Sequence, residues 1–149
     1  MNVLIIAAHP DDEILGMGGT ISKHTSRNDD VTIIYMATGI TARRELSNDK
    51  HEIKNIPKIT QKQWQKEINQ LRIDAKKSAK LLSVKNVKFY DFPDNEMDGI
   101  QLLKVVKIIE KEIKETKPDR IYTNHYGDLN VDHKVVGNAV LTACRPSDF

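Results

Sequence analysis

The chain of 149 residues predicts an α/β domain, an open parallel sheet held between two layers of helices. Residues 3–8 (VLIIAA) and 31–37 (VTIIYMA) are nearly unbroken aliphatic and β-branched runs, the pattern of strands covered on both faces. Segments of helical length separate these runs from two further strand-like stretches, and strands that alternate with helices give right-handed crossovers. The length suits one domain over residues 1–149 with a single core. The expected architecture is Rossmann-like and three-layered, with ligands bound outside the carboxyl ends of the strands.

Each element has its own justification. After the first strand, residues 14–26 (ILGMGGTISKHTS) have the length of a crossover helix. Gly16, Gly18 and Gly19 weaken it by about 1 kcal/mol each, and close packing is the role expected of them. Residues 38–60 hold no clear period and contain Gly39 and Pro57, which predicts a functional loop or flap. Trp64, Ile68, Leu71, Ala75 and Leu82 recur at helical spacing over 61–82 and predict a core-facing stripe. Residues 87–92 (VKFYDF) form the third strand. Asp98 and Gln101 make a capping-box-like start to a helix with Leu102, Leu103, Val106, Ile109 and Ile113 on its apolar face, ended by Pro118. A weaker strand follows at 120–123 (RIYT). Val135, Val136, Ala139, Val140 and Ala143 then predict a last amphipathic helix, with Asp132 near its amino end.

Composition narrows the function classes. Lys and Arg number 23 against 21 Asp and Glu, a net charge of +2, so nucleic acid is not the expected partner. The basic stretch over residues 50–80 reads as a solvated helix face. No apolar run approaches the roughly 20 residues that span a bilayer, and the amino-terminal stretch has no basic leader. Cys144 is the only cysteine, which excludes an intrachain disulfide and a multi-cysteine metal site. It predicts a small buried apolar side chain in a protein of a reducing, cytoplasmic compartment.

Two clusters carry the chemistry. In "AAHPDDEILG", residues 7–16, proline favours the second position of a type I turn, so His9 and Asp12 stand at its ends with Cα atoms within about 7 Å. Their side chains can converge on one point, while Asp11 projects elsewhere. The helix that follows favours ionised acids at its amino end, and crowding of Asp11, Asp12 and Glu13 pushes at least one carboxyl pKa upward. The second cluster, "NHYGDLNVDHK" at 124–134, follows the fourth strand and offers His125, Asp128, Asn130, Asp132 and His133. One of these histidines joined to His9 and Asp12 makes a two-histidine, one-carboxylate site with a coordination position open to water. His133 is the better candidate, because it sits at a helix start where the neighbouring acid can orient it. A non-haem iron(II) oxygenase uses the same donors, usually on a β-rich scaffold with closer H-x-D spacing. A receiver-like α/β binding module also has paired acids after its first strand and could use Asp91 or Asp94 as acceptor, but it leaves His9 and His133 unexplained.

Over nearly its whole length the chain resembles the PIG-L/LmbE-like zinc-dependent deacetylases, which remove acetyl from N-acetylglucosaminyl conjugates. The likeness rests on A-H-P-D-D-E at 8–13, Arg72-Ile73-Asp74-Ala75, Phe92-Pro93-Asp94 and Asp132-His133-Lys134-Val135-Val136-Gly137. It implies that His9, Asp12 and His133 hold Zn2+ and that Asp11 is the general base, joined in the catalytic group by Asn130 and Asp132. Asn130 stands where many members carry an oxyanion-stabilising histidine, and an amide can donate a hydrogen bond there but no charge. Arg72 and Asp94 match family positions near the sugar hydroxyls or the attached group and are the implied substrate-binding residues; His125 and Asp128, from the second cluster, are further substrate-binding candidates, either of them able to compensate for that histidine. The implied partner is a small N-acetylated sugar conjugate, with assembly into a homo-oligomer left open. Chains of this family run on with further strands, so the expectation is a domain shortened at its carboxyl side.

Overall fold

The computed structural model describes residues 1–40, 42 and 58–146, with 58–60 described by backbone alone. Four strands, β1 (Asn2–Ala7), β2 (Asp30–Ala37), β3 (Asn86–Phe92) and β4 (Arg120–Thr123), alternate with four helices. These are α1 (Asp12–Thr25), α2 (Lys58–Leu81), α3 (Leu102–Thr116) and α4 (Val131–Ala143), with a short 3-10 turn at Met97–Gly99. All pairings are parallel and the strand order is β3-β2-β1-β4. The chain therefore builds outward from β1 through β2 to β3 and then returns to the other side of β1. That reversal places a topological switch point between the carboxyl ends of β1 and β4, where open α/β sheets bind ligands.

The period-two alternation of the strands sorts the core into two layers. Leu4, Ile6, Ile34 and Met36 pack against Val105, Val106 and Ile109 of α3 and Val136, Ala139 and Val140 of α4. Val3, Ile5, Val31, Ile33 and Tyr35 face the opposite way, onto Ile21 of α1 and Ala75 and Ala79 of α2. Burial of each large aliphatic side chain is worth about 1.5–3 kcal/mol, so β1 and β2 anchor the domain from both faces.

Several expectations are corrected. The flap expected over 38–60 falls mostly outside the described residues, and α2 begins at Lys58, three positions earlier than its apolar stripe suggested. Asp98 and Gln101 form no capping box: Asp98 lies in the 3-10 turn, and Gln101 precedes α3 without a side-chain cap bond. The buried stripe of α3 runs through Val105, Val106, Ile109 and Glu112, leaving Leu102 and Leu103 exposed. Glu112 belongs inside because Lys88 Nζ and the Tyr90 hydroxyl donate to its carboxylate at 2.6 and 2.5 Å. The helix then ends in the left-handed Lys117, just before Pro118. A Cβ added at Gly16 or Gly19 would meet nothing within 4 Å among the described residues, so close packing against these does not account for the two glycines; the backbone between them leaves helical geometry at Met17. Cys144 is exposed rather than buried.

Close packing does matter where α4 crosses the exit of β4. A Cβ on Gly137 would lie 2.8 Å from the Asn124 carbonyl oxygen and 3.1 Å from the Tyr126 backbone. Asn124 in turn joins the two strand exits, since its side-chain oxygen accepts the Ala8 N–H at 2.9 Å. Overpacking of this kind costs about 1–3 kcal/mol. Gly137→Ala is therefore expected to destabilise the domain by that amount in chemical denaturation, and an unchanged unfolding midpoint would show that α4 can back away from β4 freely.

Candidate metal centre

The turn after β1 closes on His9 but departs from the type I geometry expected of it: Asp11, its third residue, sits at φ 166°, ψ −24°, and the His9 carbonyl also accepts Asp11 N–H at 3.0 Å. His9 carbonyl accepts from Asp12 N–H at 3.3 Å, and the Asp12 carboxylate closes the loop by accepting His9 N–H at 2.9 Å. Ala8, just before it, is held on both sides: its carbonyl accepts Ala37 N–H at 2.8 Å, and its N–H is taken by Asn124. On the other side of the switch point, Asn130 caps α4 by accepting Asp132 N–H and His133 N–H at 2.9 and 3.3 Å. Both clusters thus sit on backbone with little freedom.

His9, Asp12 and His133 come together. One donor atom from each lies within 4.8 Å of the others, and the two imidazole centroids are 5.4 Å apart. Asp12 Oδ2 is occupied by His9 N–H and by the Asn124 amide at 3.1 Å, while Oδ1 lies 3.2 Å from His133 Nε2. His9 Nδ1 stands 3.7 Å from the same carboxylate.

The far nitrogen of each imidazole is tied down by a carboxylate. His9 Nε2 donates to Asp132 Oδ2 at 2.9 Å, with Asp94 Oδ1 at 3.2 Å, and His133 Nδ1 donates to Asp128 Oδ2 at 3.1 Å. An ionised carboxylate only accepts, so the proton of each pair belongs to the imidazole, and the other ring nitrogens, His9 Nδ1 and His133 Nε2, face the Asp12 carboxylate. Asp132 is fully buried and also accepts Asn95 N–H at 2.6 Å and Met97 N–H at 3.1 Å, which locks the segment after β3 onto His9.

Two nitrogens and one carboxylate oxygen are a fitting donor set for Zn2+ and related divalent ions. His9, Asp94 and Asp132 form a second group of potential ligands among the described residues. Their oxygens are already engaged, because Asp94 Oδ2 accepts Ala42 N–H at 2.8 Å and Asp132 takes the two backbone amides. The first group is the one with atoms to spare.

Electrostatics follow the same geometry. Burial disfavours the His9 cation, but the hydrogen bonds to Asp132 and Asp94 outweigh it and push the pKa up to about 10. Burial also works against the Asp94 anion, yet donors from His9, Ala42 and Asn95 hold its pKa below the usual value. The Asp11 pKa is raised, by partial loss of solvent first and by the Asp12 carboxylate second, and burial raises Glu13 against the opposing effect of the Tyr35 hydroxyl. Asp11 remains exposed at the start of α1 and makes no side-chain cap bond.

The remaining residues singled out in the sequence are spread around this centre. His125 lines a cavity of about 570 Å3 between α1 and the exit of β4, shared with Asp12, Leu15, Asp128 and His133. Arg72 lies apart from the ligand trio: it pairs with Asp91 at 2.5 Å and sits 5.3 Å over the Phe89 ring. Asn124 was not anticipated, and its only sequence signal is a polar amide placed directly after a strand that ends at the same edge as β1.

The family model described as PIG-L, GlcNAc-PI de-N-acetylase, matches residues 4–144. A probable N-acetyl-alpha-D-glucosaminyl L-malate deacetylase 2 of Bacillus cereus is 29% identical over 144 residues, covering 95% of this chain and 60% of that protein. Two solved structures share the fold. N,N'-diacetylchitobiose deacetylase from Pyrococcus horikoshii superposes with a TM-score of 0.75 at 24% identity, over 95% of this chain and 48% of that one. The 4-carboxy-2-hydroxymuconate hydratase GalB of Pseudomonas putida gives 0.73 at 18% identity, over 96% and 55%. The chain therefore spans about half to three-fifths of these relatives. With the family model matched from the first strand to the end of the last helix, the chain belongs to the PIG-L family of GlcNAc-PI de-N-acetylases.

Proposed function

We propose that this domain carries the zinc centre of an N-deacetylase that hydrolyses the acetamido group of an N-acetylglucosamine-type conjugate in the cytoplasm. The observation that carries the reading is the meeting of His9, Asp12 and His133 at the switch point, each imidazole backed by its own carboxylate. The names of the Bacillus cereus and Pyrococcus horikoshii relatives support an acetylated amino sugar as the substrate class.

His9 Nδ1, Asp12 Oδ1 and His133 Nε2 would hold the ion. Bound zinc supplies a Lewis acid and a water of lowered pKa, near 7. Asp132 and Asp94 orient His9, and Asp128 orients His133, so three acids act through the imidazoles. Asp11 takes the proton of the attacking water and returns one to the departing amine, as its exposed place beside the ligand turn allows. Water is consumed, the amide C–N bond breaks, and acetate and a free amino sugar leave.

His9→Ala and His133→Ala should each reduce bound zinc far below about one ion per chain by metal analysis; full zinc loading would refute the ligand set, and iron in its place would favour an oxygenase. Asp11→Asn should keep its zinc while acetate release falls about 10²–10⁴-fold. Normal turnover in that variant would remove the base from the scheme. Asp132→Asn places an amide where two donors and an imidazole need a carboxylate, and should weaken zinc binding about 10–100-fold in chelator competition. Unaltered affinity would mean that Asp132 serves the fold alone.

A further inference from the structure

We propose that His125 is a substrate-orienting hydrogen-bond donor, preset by the following turn to present Nε2–H to an oxygen of the bound ligand. The proposal rests on the deacetylase reading and deepens it by naming a residue that selects the substrate. Gly127 N–H donates to His125 Nδ1 at 3.2 Å, and only an unprotonated ring nitrogen can accept. A neutral imidazole with a bare Nδ1 carries its proton on Nε2. The ring is steadied by Tyr126, with centroids 4.8 Å apart and planes inclined at 33°. A Cβ on residue 127 would lie 2.7 Å from His125 Cε1 and 3.0 Å from Nδ1, so glycine at this position is what lets the ring sit there.

The ring lines the cavity that also contains Asp12, Asp128 and His133. Carboxylates in that wall accept hydrogen bonds from sugar hydroxyls but cannot meet an oxygen that itself accepts. A preset Nε2–H supplies that donor. Asn130, by contrast, has its side-chain oxygen committed to the cap of α4.

The test combines kinetics and spectroscopy on the zinc-loaded chain, with N-acetylglucosamine and N,N'-diacetylchitobiose as probes. His125→Ala should raise KM about fivefold to tenfold with little change in kcat, zinc content or unfolding midpoint. His125→Gln, whose amide nitrogen reaches the Nε2 position, should recover most of the loss, and Gly127→Ala should reproduce the rise in KM. Imidazole 15N spectra should show a ring with bare Nδ1 and protonated Nε2 that vanishes in His125→Gln and shifts on adding N-acetylglucosamine. Unchanged KM in His125→Ala, or a protonated Nδ1, overturns the inference and leaves the deacetylase reading standing. If the parent turns over neither probe, the deacetylase reading falls; a His125 signal that shifts with N-acetylglucosamine then still supports the donor role, and one that does not shift overturns it.

Discussion

Parallel pairing of β1 with β4, from Val3 opposite Arg120 to Ile6 opposite Thr123, is the constraint on which the site depends. It makes two segments more than a hundred residues apart leave the sheet side by side. Just beyond the last pair, the Asn124 side chain takes over from the ladder by accepting Ala8 N–H, and its amide then donates to Asp12. One asparagine thereby fixes the separation of the strand exits and the pose of a ligand carboxylate. Gly137 permits α4, which carries His133, to approach this point closely.

Around the ligand trio the chemistry is layered. His9 and His133 present one nitrogen each inward, and Asp132, Asp94 and Asp128 hold the outward nitrogens. The buried Asp132 does double duty, because the backbone amides of Asn95 and Met97 end on it as well. Integrity of the β3–α3 connection and orientation of His9 are consequently one structural property. Carboxylate-backed imidazoles fix the tautomer and raise ligand basicity, which is the arrangement that favours coordination of a divalent cation.

Much of this was legible in the sequence, for identifiable reasons. β1 and β2 are covered on both faces, so their aliphatic runs declare them, and the proline turn that follows β1 is a local device. His9, Asp12 and His133 could be named because residue type and strand-end position restrict them. The pairings behind them could not: His9 and Asp132 are joined across 123 positions, and only the order β3-β2-β1-β4 brings Asp94, Asp128 and Asp132 to the imidazoles. The register of α3 was misjudged because Leu102 and Leu103 are apolar yet exposed, while the buried Glu112 is charged and satisfied by Lys88 and Tyr90. Helical periodicity has no means of anticipating a buried acid whose partners lie on a neighbouring strand.

Anomalous diffraction at the zinc edge, from crystals grown with stoichiometric zinc, tests the central claim most directly. The account predicts one strong peak bonded to His9 Nδ1, Asp12 Oδ1 and His133 Nε2, with Asp132 and Asp128 still on the outer nitrogens. Zinc bound instead among His9, Asp94 and Asp132, or a ligand trio that stays empty while zinc binds elsewhere, would contradict it.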